Sequence, residues 1–268
     1  MIGTVTRGTT NTNRLRRVDR WIAAQPVLRH APDPLVVDLG YGASGVTVFE
    51  LERRLRRVRP EVRVLGLEID PARVERASAQ LELVRSGLMA FAADAHVWFA
   101  RGGFEVPTRH GDRAAVIRAF NVLRQYDEAH VADAWRRMQS RLQPGGMLVE
   151  GTCDELGRVA SWVHLTPEAP VSLTISLRLT GLEHPSIVAE RLPKALIHRN
   201  VEGERVHDFV AALDDAWAYA APLSTYGPVQ RWIATAERMR ATGWPVLGGR
   251  ARWRLGELGV PWSSIAPA

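Results

Sequence analysis

Apolar residues in the first half of the chain alternate between two rhythms. Leu35-Val36-Val37-Asp38-Leu39 is a short, nearly continuous apolar run that ends in glycines, and it predicts a buried strand. From Val46 to Val58 the apolar positions Val48, Leu51, Leu55 and Val58 recur at helical spacing. Arg63 to Glu68 predicts a second strand. Asp70-Pro71 predicts a helix start, with Asp as the cap and Pro at the first helical position, and Val74, Ala77, Leu81 and Val84 share one face. Leu88 to Ala93 predicts a third strand, Ala114 to Phe120 a fourth and Met147 to Gly151 a fifth. Between the last two, Asp127 caps a helix with the stripe Val131, Trp135, Met138 and Leu142, ended by Pro144-Gly145-Gly146. Strands separated by helices pair in parallel. The expected class is α/β: a doubly wound, mostly parallel, seven-stranded-type sheet with helices on both faces.

After Thr152 the rhythm changes. Val159 to Leu165 and Ser172 to Leu179 alternate like half-buried strands and predict an antiparallel pair at one edge of the sheet. Helical stretches follow near Val206 to Tyr219 and Val229 to Thr242, then a strand-like segment around Trp253 to Val260. Five of the nine tryptophans lie beyond position 200, either as core or as the aromatic wall of a substrate pocket.

Composition narrows the class. The 268 residues include 35 basic and 29 acidic side chains, a net charge of +6, and 46% are hydrophobic, which excludes a disordered chain. The single cysteine, Cys153, has no internal partner and fits a reducing compartment. No apolar run approaches the roughly 20 residues of a membrane span, and the first residues lack the apolar stretch of a signal peptide. A soluble cytoplasmic protein is expected. All basic residues but Lys194 are arginine. The densest group, Arg53, Arg54, Arg56, Arg57 and Arg59, is interleaved with Leu51, Leu55 and Val58, so it reads as a solvated helix face or as a phosphate-facing patch.

The chemistry concentrates after the first strand, in Asp38-Leu39-Gly40-Tyr41-Gly42-Ala43-Ser44-Gly45. Gly40 and Gly42 let the backbone turn sharply and approach a ligand, and the next helix presents free N–H groups. An acid two residues before the glycines repels a pyrophosphate. It suits a cofactor with a cationic amino-acid end, as in S-adenosylmethionine. Here the chain resembles the class I (Rossmann-like) S-adenosylmethionine-dependent methyltransferases, over roughly Leu35 to Gly151.

The resemblance implies a set of cofactor-binding residues. Asp38, Gly40, Tyr41 and Gly42 match the first motif. Glu68, with Ile69 beside it, matches the acid that accepts from both ribose hydroxyls. Asp94, with Ala95, closes the expected third strand and matches the acceptor of the adenine amino group. Leu142 to Leu148 matches the turn into the fifth strand. Ser44 stands where many relatives carry a third glycine, and Tyr41 is bulky for its place. The implied organisation is an N-terminal lid and helix over 1–30, a cofactor-binding core over 31–155 and a sheet-completing, substrate-specificity extension over 156–268, within one structural domain.

The methyl acceptor is expected beyond the fourth strand, at Phe120-Asn121-Val122-Leu123-Arg124-Gln125-Tyr126. Asn121 and Val122 are expected near the cofactor, and Asn121, Arg124 and Tyr126 form the catalytic candidates; Arg124 and Tyr126 equally suit bracing of the next helix. His96 and His164 are candidate bases or structural histidines. His164, His184 and His198 are candidate substrate residues, with Arg7 and Asn13 as lid residues over the site. No metal-ligand spacing is present. The reading is a methyltransferase of a small or medium-sized acceptor, with S-adenosylmethionine as cofactor and S-adenosylhomocysteine as product. The alternatives are a tRNA or rRNA methyltransferase and a cofactor-binding protein without chemistry.

Overall fold

The protein is described by a computed structural model over residues 2–5, 8 and 10–267. In chain order its elements are α1 (Arg16–Ala24), α2 (Pro26–His30), β1 (Leu35–Leu39), α3 (Val46–Leu55), β2 (Arg63–Glu68), α4 (Pro71–Arg85), β3 (Val97–Arg101), β4 (Ala114–Phe120), α5 (Val131–Gln139) and β5 (Leu142–Cys153). They continue with β6 (Val159–Leu165), β7 (Pro170–Leu177), α6 (Lys194–Ile197), α7 (Arg205–Tyr219), α8 (Pro228–Ala241), α9 (Arg250–Trp253) and β8 (Glu257–Pro261). The strands form one sheet in the order β3-β2-β1-β4-β5-β6-β7-β8. The chain divides into two compact units. The first is Met1–Glu150 with Glu155–Gly157 and Leu165–Ala169, and the second is Gly151–Asp154, Arg158–His164 and Pro170–Ala268.

In the first unit β1 pairs in parallel with β2 and β4, and β2 with β3. All five β1 residues and all seven of β4 are buried, as expected for parallel strands covered on both faces. Asp70 caps α4 by accepting from the Ala72 N–H at 2.9 Å, and Pro71 takes the first helical position. Helix α5 buries Val131, Ala134, Trp135 and Met138 at helical spacing. The turn at 128–130 precedes it, and Asp127 makes no side-chain capping bond there. Pro144-Gly145-Gly146, expected to close that helix, lies within β5, which is longer than Met147 to Gly151.

The third strand corrects the sequence reading. Leu88 to Ala93 is irregular, with Leu88 74% exposed, and the strand is Val97–Arg101. Its register places Val97 beside Val64 and Arg101 beside Glu68. Asp94 and Ala95 therefore sit at the amino-terminal edge of β3.

In the second unit β7 and β8 are antiparallel, with Ser172 opposite Pro261. Helices α7 and α8 pack through Trp217 and Trp232, whose ring centroids lie 6.2 Å apart in an edge-to-face arrangement. Trp217, Trp232 and Trp253 are buried core residues. Among the described residues no helix is long and apolar enough to cross a membrane, and no group of His, Cys, Asp and Glu is placed to hold a metal ion.

Candidate functional site

A crevice opens in the first unit at the carboxyl ends of β1, β2, β3 and β4, where doubly wound sheets gather ligands. Leu39, Gly40, Glu68, Ile69, Gly102, Gly103, Phe104, Val122 and Tyr126 line it, together with Ile2 and Thr4. The sharp exit from β1 requires glycine: Gly40 and Gly42 hold φ of 71° and 87°. The Gly40 N–H donates to the Leu67 carbonyl at 2.8 Å. A Cβ on Gly40 would lie 2.5 Å from Cγ2 of Val122, so β1 and the chain leaving β4 meet without a gap. Asn121 supports that approach with a left-handed backbone at φ 60°, a conformation asparagine tolerates better than most residues.

Glu68 is the buried acid of this crevice. Its Oε2 accepts from the Gly42 N–H at 3.1 Å and its Oε1 from the Ile69 N–H at 2.8 Å, with the Arg73 guanidinium 3.5 Å from Oε2. The Asp70 N–H also donates to Oε1, at 3.4 Å, so two shorter and two longer bonds hold the carboxylate on the glycine loop and take up its acceptor directions. Tyr41 turns its ring inward against Phe99, with centroids 5.2 Å apart. Burial, followed by the nearby Glu68 and Asp38 charges, raises its phenol above the ordinary value and keeps it neutral.

Asp38 is not at the crevice. It is buried in mid-strand, and both its oxygens accept from Arg118, from Nε at 2.9 Å and Nη2 at 2.5 Å. Arg118 also donates to Asp19 of α1, and Asp19 accepts from Arg54 of α3 at 2.5 Å. Burial alone would lower the Arg118 pKa, but the carboxylates of Asp38 and Asp19 outweigh it and hold the guanidinium charged. The acid of the first motif is therefore neutralised inside the fold.

Asp94 and Ala95 are also corrected. The Asp94 side chain is 77% exposed and accepts from Arg56 Nη1 at 2.9 Å, which holds its carboxyl below the ordinary range. It lies beside the start of β2, where the His96 carbonyl accepts from the Val64 N–H at 2.8 Å. Four residues of strand separate Val64 from Glu68, about 13 Å at roughly 3.3 Å per residue. The place expected for Asp94 is taken by Gly102, Gly103 and Phe104.

The remaining candidates divide. Tyr126 lines the crevice with its ring 5.2 Å from that of Phe104, whereas Arg124 lies on the half-buried turn at 123–125 and does not line it. Asn13 braces the start of α1: its N–H donates to Glu50 at 2.8 Å and its Oδ1 accepts from Arg54 at 2.6 Å. Arg7 lies outside the described residues. The three histidines belong to the second unit. His164 is half-buried on β6, and burial lowers its pKa. His184 is 4.0 Å from Asp214, and His198 is 3.0 Å from the Lys194 ammonium nitrogen. Of the arginine group at the end of α3 and just after it, Arg57 is exposed and the other four are engaged within the protein. Arg53 lies over Phe91, Arg54 pairs with Asp19, Arg56 with Asp94 and Arg59 with Glu61. Sequence reasoning missed Gly102, Gly103 and Phe104, although two glycines directly after Val97-Trp98-Phe99-Ala100-Arg101 repeat the glycine exit from β1.

No family model matches the chain, and no curated protein matches it. Several solved structures overlap with part of it. The O-methyltransferase family protein from Burkholderia thailandensis is 17% identical with a TM-score of 0.37, over 53% of this chain and 39% of that one. The mitomycin 7-O-methyltransferase MmcR is 23% identical with a TM-score of 0.37, over 53% and 36%. The CcbJ methyltransferase from Streptomyces caelestis is 18% identical with a TM-score of 0.38, over 61% and 68%. The chain thus spans well under half the length of the first two. Overlaps at this level define neither a shared activity nor a shared substrate. The chain is similar, over about half its length, to methyltransferases of known structure.

Proposed function

We propose that the protein is an S-adenosylmethionine-dependent methyltransferase whose cofactor occupies the crevice at the carboxyl ends of β1, β2, β3 and β4. The observation that carries this reading is Glu68, a buried carboxylate held by the backbone N–H groups of Gly42, Ile69 and Asp70 at the end of β2 and facing a glycine-built wall. A carboxylate so placed suits a vicinal diol, whose hydroxyls would take over from its two longest bonds, those from Asp70 and Arg73. The donor set therefore fits the ribose of such a cofactor. Gly40 and Val122 supply the close apolar wall, and Gly102, Gly103 and Phe104 supply backbone and a ring edge on the far side. The cationic amino-acid end is not met by Asp38, whose charge Arg118 consumes.

When bound, the cofactor supplies an electrophilic methyl group. The chain's own task is to position and to exclude water. Glu68 orients the sugar, the Gly40–Gly42 turn lets the ligand approach the backbone, and Tyr126 and Asn121 stand on the acceptor side. The acceptor is a small or medium-sized molecule.

Calorimetry with S-adenosylhomocysteine tests the reading. Micromolar binding by the wild-type chain is expected, with a loss of about tenfold or more in Glu68→Gln, since a hydrogen bond to a charged group contributes about 1.5–3 kcal/mol. Unchanged affinity in a folded Glu68→Gln protein overturns the ribose assignment. Methyl-labelled cofactor incubated with cell extract then separates an enzyme, which labels an acceptor, from a cofactor-binding protein, which labels nothing.

A further inference from the structure

We infer that residues 2–5 form a strap that competes with the cofactor for the crevice and leaves it before S-adenosylmethionine binds; the inference rests on the cofactor reading above. Ile2 and Thr4 line the crevice itself. The Phe104 N–H donates to the Ile2 carbonyl at 2.9 Å, and the Ile2 N–H donates to Glu105 Oε2 at 2.7 Å. The Thr4 N–H donates to the Tyr126 hydroxyl at 2.6 Å, and that hydroxyl donates back to the Thr4 carbonyl at 3.2 Å.

The seat is built for this segment on both sides. Any side chain at Gly103 would overlap the Ile2 carbonyl. Gly3 holds φ of 134°, and a Cβ there would lie 2.7 Å from Cδ1 of Ile69 and 3.0 Å from the Tyr126 hydroxyl. Further along, the Thr10 hydroxyl donates to the Tyr41 carbonyl at 3.0 Å, which ties the segment to the glycine loop. With the strap seated, the crevice keeps a cavity volume of about 20 Å³. That is below the roughly 300–1,000 Å³ of ordinary small-molecule sites. The strap uses Ile69, Gly103 and Tyr126, which the cofactor and its acceptor also need, so the two occupancies exclude each other. Its bonds to the Glu105 carboxylate and the Tyr126 hydroxyl lie at the exposed rim, where water replaces them readily, which makes the contact breakable.

The test compares the full chain, a deletion of residues 2–5 and Gly3→Val, none of which alters a residue assigned to the cofactor. Calorimetry reads S-adenosylhomocysteine affinity, and hydrogen exchange reads the Phe104 amide. We expect both variants to bind at least tenfold tighter than the full chain. The Phe104 amide of the full chain should be protected alone and lose protection when S-adenosylhomocysteine is saturating. Equal affinities with unchanged Phe104 exchange overturn the competition and leave the cofactor reading standing. Weaker binding by the variants overturns it too, because the strap would then belong to the bound site. Absence of binding by all three forms overturns the cofactor reading and the strap's role with it.

Discussion

Asp38 on β1 and Arg118 on β4 are register partners across two parallel strands, and one guanidinium takes both oxygens of that carboxylate. Asp19 holds the same guanidinium from α1. Removing one member of such a cluster strands the others in the interior. Arg118→Met is expected to destabilise the fold by about 3–5 kcal/mol. Arg118→Lys should rescue little of this, because one ammonium cannot serve both oxygens of Asp38 and Asp19 together. Urea denaturation measures both, and a stability loss under about 1 kcal/mol would contradict the prediction.

Gly40→Ala should lower stability even without ligand. Its left-handed backbone costs an L-residue about 1–2 kcal/mol, and the added methyl presses on Val122. Pairing Gly40→Ala with Val122→Ala should return the steric part and leave the backbone part. A double-mutant cycle by thermal unfolding checks this, and strict additivity would show that the two residues are not in contact.

Asp94→Ala should leave S-adenosylhomocysteine affinity as it is in the wild type. Its carboxylate stands at the other end of the strands from Glu68 and pairs with Arg56 at the surface. A tenfold loss in calorimetry would restore Asp94 to the binding site and discredit the register of β3.

Glu150 on β5 gives a pH dependence. Its carboxyl is fully buried, with the Trp135 indole beside it. Burial pushes its pKa from 4.5 up to about 8, with the Trp135 indole pulling weakly the other way. The folded chain therefore keeps a proton that the unfolded chain releases above its own lower pKa. This group's contribution is fully present below about pH 4.5 and is lost as pH rises toward 8, a change of a few kcal/mol. Glu150→Gln should flatten that slope and be the more stable form at pH 8. Chemical denaturation from pH 5 to 8 reads it; parallel slopes in both proteins would rule out the assignment.

The frame of the fold was legible wherever burial is two-sided. The strands Leu35–Leu39, Arg63–Glu68 and Ala114–Phe120 stand where their apolar runs place them. The third strand was not, because it is an edge. Val97–Arg101 is only half-buried, whereas Leu88 to Ala93 is more uniformly apolar and has no strand beside it. Moving that strand carried Asp94 to the wrong end. Glu68 was legible because a strand end followed by Asp70-Pro71 fixes where the carboxylate emerges. Asp38 was misread for want of its partner: proximity along the chain linked it to the glycines, while its true neighbour is 80 residues away. The lone arginine within Ala-Ala-Val-Ile-Arg-Ala-Phe was the available sign, since a charge in a fully buried strand demands an acid.

The Asp19–Arg118–Asp38 cluster also constrains how this chain can change over time. Each residue alone is intolerant of replacement, yet three well-packed apolar side chains installed together would be neutral or stabilising, as for other interior ion triads. Arg54 would keep Glu50 as its counter-ion. Drift at these positions must therefore happen in concert, and a heat-resistant version of the protein is best sought by exchanging all three at once.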